Sequence, residues 1–98
     1  MAQAKIIWTN TAYDDFELLL KYIEKDSVHY AAAVGEHILL GIESVAHFPY
    51  SGRIVPEFNN KTLREKIFQN YRIVYRVKRK TIEIIAIIHA ARSIKDIL

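Results

Sequence analysis

Cysteine is absent. That excludes a disulfide, a thiolate nucleophile and a zinc–thiolate site, and it suits a reducing compartment, so a cytoplasmic setting is expected. No uninterrupted apolar run exceeds five residues, which is far short of a membrane span. The start, "MAQAKIIWTN", lacks the apolar core of a secretory signal. Glycine occurs only three times, and there is no Gly/Ser linker, repeat or low-complexity tract. Acids are almost missing from residues 61–80, where Glu65 stands against eight lysines and arginines.

Apolar residues make up 51% of the chain. A packed core follows, and intrinsic disorder does not. The 98 residues suit a single domain, 1–98. Charge is unevenly spread: residues 10–47 sum to −5 and residues 61–80 to +7. A surface with a positive side attracts a polyanion or an acidic protein segment. Charged residues on a strand edge also keep chains from pairing there.

"AKIIWT" (4–9) reads as a strand. Thr11 and Asp14 form the pattern of a capping box. Ala12, Phe16, Leu19, Leu20 and Ile23 then recur at helical spacing. Ser27 suits the cap of a second helix, with a stripe of Ala31, Val34, Ile38, Ile42 and Val45 ended by Pro49. Gly35 and Gly41 would let the two helices approach closely. Residues 48–62 read as a long loop, of a length that is often functional or mobile. Strands follow at 63–68, 71–78 and 81–89, with "QN" and "KRK" as turns, and "ARSIKDIL" forms a short helical tail. The predicted fold is α+β: an N-terminal strand, a two-helix antiparallel hairpin, then a three-stranded antiparallel meander in one small sheet.

Side chains alternate across a strand. A hairpin turning at Arg79-Lys80 sets Tyr71, Ile73, Tyr75 and Val77 opposite Ile88, Ala86, Ile84 and Ile82. That apolar face should meet the helices. The other face sets Arg72, Val74 and Arg76 opposite Ile87, Ile85 and Glu83, with His89 one step beyond. Arg76 and Glu83 would pair across the strands, worth roughly 0.2–1 kcal/mol. This second face is half apolar and half cationic. Either a partner covers it, or the tail or the 48–62 loop folds over it.

Five segments in this order, "IIWTNTAYDDF", "YIEKDS", "FPYSGRIVPE", "LREKIFQNYRIVYRV" and "IIAIIHAAR", resemble the RelE/ParE superfamily, the toxin half of type II toxin–antitoxin modules. The likeness covers nearly the whole chain and implies a helical hairpin on a small antiparallel sheet. Its ParE-like members inhibit DNA gyrase and its RelE-like members cut mRNA on the ribosome; both are neutralised by a cognate antitoxin. The ParE-like branch is the expected one, with the RelE-like endoribonuclease as the alternative. A plasmid-stabilisation role and a toxin–antitoxin hetero-oligomer come with either.

The choice of branch turns on residues. RNA cleavage without a metal needs groups to activate the 2′-OH, protonate the leaving oxygen and offset charge on the phosphate. Carried over by position, the family's two arginines match Arg72 and Arg92. Its two lysines fall on Leu63 and Glu65, and its tyrosine on Leu98. Under the nuclease alternative, Arg72, Arg92, His89 and Glu57 are the catalytic candidates. The candidate partner surface is Arg64, Lys66, Arg72, Val74, Arg76, Ile85, Ile87 and Arg92. Trp8 reads as core. His29, His37 and His47 have no metal-ligand spacing, so neither a metal nor another cofactor is expected.

Overall fold

The computed structural model describes residues 3–98. Its elements are β1 (Lys5–Trp8), α1 (Asn10–Glu24), α2 (Val28–His47), β2 (Arg53–Ile54), β3 (Leu63–Phe68), β4 (Tyr71–Val77), β5 (Thr81–His89) and a closing 3-10 turn (Ile94–Asp96). They form one five-stranded sheet in the order β1-β5-β4-β3-β2. The meander β3-β4-β5 is antiparallel, and β1 joins β5 in parallel. A parallel neighbour needs a crossover, and here the helical hairpin is part of it.

The start of α1 lies two residues earlier than the Thr11–Asp14 pattern suggests. Thr9 is the N-cap; its Oγ1 accepts from Ala12 N–H at 3.1 Å and donates to Ile85 O, also at 3.1 Å. Strand pairing is the cause. Thr9 N–H is bonded to Ile84 O, which holds Thr9 extended where the chain turns into the helix. Ser27 caps α2 as expected, accepting from Tyr30 N–H. All five residues of the α2 stripe are buried. Gly35 does bring the helices together, since a Cβ there would lie 3.3 Å from the Leu20 side chain. Gly41 faces open space and has no such role.

One β-bulge changes the expected register. Tyr75, Arg76 and Val77 pair with Ile84, Glu83 and Ile82 as the hairpin predicts. Beyond them Ile85 is the extra residue, so Val74 pairs with Ala86, Ile73 with Ile87 and Tyr71 with His89. A bulge shifts every later side chain on its strand to the other face. Ile87 therefore joins the helix-side core with Ile73, Tyr75, Ile82 and Ile84. Ile88 moves to the outer face. Asp15 acts at the same place, its carboxylate accepting from Ile87 N–H at 3.0 Å. Burial raises the Asp15 pKa, partly offset by that hydrogen bond and by the Arg92 charge.

The outer face is a second core. Val55, Leu63, Val74, Ile85, Ala86, Ile88 and Ile94 are buried together there, with Ile97 packed against them. The chain's own segments cover it: the loop supplies Val55 and the tail supplies Ile94 and Ile97. Fully burying a side chain such as Ile94 is worth about 1.5–3 kcal/mol.

Candidate functional site

Arg72 stands at the centre of this covered face. Its side chain is 6% exposed, and each of its three nitrogens has an acceptor. Nε donates to Glu65 Oε1 at 2.7 Å, and Nη2 lies 2.6 Å from the same oxygen. Nη1 and Nη2 each donate to a different oxygen of Glu57, at 2.8 Å. Nη1 also donates to Arg92 O at 2.8 Å. The fork-shaped guanidinium suits such bidentate pairing.

The partners are fixed in turn. The Glu65 side chain is 0% exposed, and its Oε2 accepts from Arg53 Nε at 2.6 Å. Glu57 Oε2 also accepts from Ile94 N–H at 2.9 Å. The Arg72 hydrogen bonds, helped by Ile94 N–H against the cost of burial, lower the Glu57 pKa to about 2. The Glu57 hydrogen bonds, chiefly, push the Arg72 pKa still higher. One arginine thus ties β4 to β3, to the loop and to the tail. No buried side-chain polar atom lacks a partner among the described residues.

The predicted site residues do not come together as one catalytic surface. Arg72 and Glu57 meet, but as a closed ion pair. His89 lies on the helix side, facing Tyr71 edge-on at 6.0 Å between ring centroids. Its Nδ1 accepts from Ala91 N–H. The bulge separates it from Arg72. Arg92 has an exposed side chain and contributes its carbonyl to Arg72.

The expected partner surface also divides. Val74 and Ile85 are buried beneath the tail and loop, and Ile87 beneath the helices; none of the three is an exposed face. Arg64 and Lys66 pair with Tyr75 and Ile73, so they point to the helix side, opposite Arg72 and Arg76. Arg64 donates to Lys61 O and Gly52 O and stacks over Tyr50, 5.0 Å from the ring centroid. Arg76 faces Glu83 in the ladder, but the Glu83 carboxylate meets Lys78 instead, at 3.5 Å.

The positions where RNA-cutting relatives carry lysines are filled by Leu63, which is buried, and by Glu65. The sequence shows Glu65 only as the residue at a family lysine's place; in the structure it is a partner of Arg72. The signal was available: Glu65 and Arg72 share a face and lie diagonally across adjacent strands.

Much of the exposed apolar surface lies along the helices. A groove of about 440 Å³ runs between α1 and α2, lined by Phe16, Leu20, Gly35, Leu39 and Leu40 and rimmed by Glu36 and Glu43. Phe16 and Leu39 carry it into a recess with Trp8 and Tyr13. Leu39 is 48% and Leu40 55% exposed. Trp8, expected as core, is half-buried against Phe16 and lines that recess.

A small sheet with a helical hairpin on one face is the architecture of the RelE/ParE toxins. Residues 6–94 match the family model described as ParE toxin of type II toxin–antitoxin system, parDE. The chain belongs to the ParE toxin family. It is 32% identical to "Putative toxin Y4kP" of Sinorhizobium fredii over 100 residues, spanning the whole of both chains. A solved chain of the chromosomal ParDE system from P. aeruginosa has the same fold, with a TM-score of 0.72 at 19% identity over 89% of this chain and 96% of that one.

Proposed function

We propose that this toxin arrests growth by inhibiting DNA gyrase in the cytoplasm and does not cut RNA. One observation carries this reading: the face on which RNA-cutting relatives keep their cations is filled and internally paired. Every guanidinium nitrogen of Arg72 is already held by Glu57, Glu65 or the Arg92 carbonyl. Glu57, titrating at about 2, is a poor general base, because an efficient base titrates near the working pH. Leu63 and Glu65 are buried. The ParE family match favours the same branch.

We further propose that a cognate antitoxin neutralises the toxin by laying an apolar segment in the α1–α2 groove, the helix-in-groove mode of recognition. Basic residues of that segment would face Glu36 and Glu43, and acidic ones would reach the cations of β3 and β4. A plasmid-stabilisation role would follow from such a pair. The test is a gyrase supercoiling and DNA-cleavage assay with purified protein, with and without antitoxin. Loss of supercoiling with accumulation of linear DNA, both relieved by antitoxin, is the expected result. Unimpaired gyrase at a large toxin excess would overturn the proposal.

A further inference from the structure

The turn between β4 and β5 is Lys78-Arg79-Lys80. Lys78 has Glu83 at 3.5 Å, Arg79 and Lys80 have no acid in an ion pair among the described residues, and none of the three is a residue that tight turns favour. Lys5, on the edge strand, adds a fourth cation, its N–H bonded to Lys80 O. A locally unfavourable choice of this kind points to a use outside the fold.

Beside the turn is a cavity of about 360 Å³. His47, Arg79 and Lys80 line it together with the apolar walls of Ala46 and Pro49, and among the described residues no acid does. A cleft lined by charge of one sign focuses its field on an anion. The segment that forms one wall also carries two outward aromatics. Phe48 is 66% and Tyr50 56% exposed, and Arg64 sits over the Tyr50 ring.

We propose that this end of the molecule binds a single-stranded nucleic acid. Arg79 and Lys80 take its phosphates, and Phe48 and Tyr50 offer their rings to its bases. Cations beside exposed aromatics are the combination that tracks a single strand without reading its sequence. A duplex hides its base faces and leaves the aromatics without a partner. An acidic peptide would satisfy the cations but does not bring a stackable ring at every repeat. The proposal does not depend on which enzyme the toxin inhibits.

The test is fluorescence anisotropy of a labelled oligothymidylate of roughly 15 nucleotides, measured over a range of salt. The wild-type chain is expected to bind, with affinity falling as salt rises. Arg79→Ala with Lys80→Ala should lower the slope of log K against log salt by about 1.4, because each phosphate contact on a single strand contributes about 0.7. Phe48→Ala with Tyr50→Ala should cost about tenfold or more in affinity and leave the slope unchanged. Lys21→Ala with Lys25→Ala, on α1, should change neither. All six side chains are exposed, and circular dichroism checks the fold of each variant. Equal or better binding of an oligouridylate supports the same surface with RNA as the strand. The proposal is overturned by absence of binding, by an unchanged slope in the turn variant, by equal affinity for the duplex, or by polyglutamate competing as well as unlabelled oligothymidylate.

Discussion

Replacing Arg72 with methionine should cost stability rather than remove a catalytic group. The methionine roughly fills the stem but leaves Glu65 and Glu57 without their common cation. Glu65 would retain Arg53, whose side chain is largely exposed, and Glu57 would retain only Ile94 N–H among its present tethers outside its own backbone. Removing one partner of a buried ion pair costs about 3–5 kcal/mol, because the remaining charge stays desolvated. For a domain of this size each kcal/mol lowers Tm by about 4–8 °C, so a fall of roughly 12 °C or more is expected. Urea unfolding followed by far-ultraviolet circular dichroism measures the loss directly. A second variant isolates the cause. Arg72→Met combined with Glu57→Gln and Glu65→Leu removes the stranded charges and should recover most of the loss, since neutral replacements of a whole buried cluster are often well tolerated. The reasoning fails if Arg72→Met unfolds within about 1 kcal/mol of the wild type, or if the triple variant is no more stable than the single one.

The Glu57 carboxyl gives a pH signature. Its folded pKa of about 2 lies below the ordinary 4.5, so its contribution is complete above 4.5 and is lost as pH falls through 2. Each pKa unit is worth 1.36 kcal/mol, and with solvent screening of this partly exposed carboxylate the contribution is on the order of 1–3 kcal/mol. Acid unfolding curves of Glu57→Gln should lack this limb, and a curve parallel to wild type would refute it. Tyr75→Phe should cost about 1–3 kcal/mol in urea melts. Its hydroxyl accepts from Gly52 N–H and donates to Pro49 O, and phenylalanine leaves both backbone groups unsatisfied. Leu39→Glu should leave thermal stability unchanged but abolish antitoxin binding in isothermal titration; undiminished affinity would remove the groove as the docking site.

Much of the fold was legible because periodicity reports burial. The α2 stripe, the Ser27 cap and the three meander strands all emerged from spacing and breakers. The bulge at Ile85 did not, for a physical reason. Residues 84–88 are all apolar, so either phase of the strand buries a hydrophobic side chain, and the pattern carries no information on which. His89 was therefore assigned to the wrong face, together with Ile87. Thr11 drew attention as a cap because local pattern is blind to the pairing of β1 with β5, which holds Thr9 in place.

The outer face was harder to read. Arg72, Val74 and Arg76 look like an open, mixed surface until the tail is placed over it. Ile94 and Ile97 occur in a stretch too short for a periodic signal. The long loop also proved structural, since Val55 is buried in the outer core and Glu57 anchors Arg72. Here each of the three guanidinium nitrogens of Arg72 has an acceptor within its own chain.

Whether the covered face of the sheet acts on RNA can be measured directly. A single preparation, shown to be active by inhibition of gyrase, should be added to translating ribosomes and the mRNA read by primer extension. Intact mRNA at toxin concentrations that stop supercoiling is the expected result. Cuts that appear only with toxin and ribosomes together, and that vanish in Arg92→Ala or His89→Ala, would contradict it.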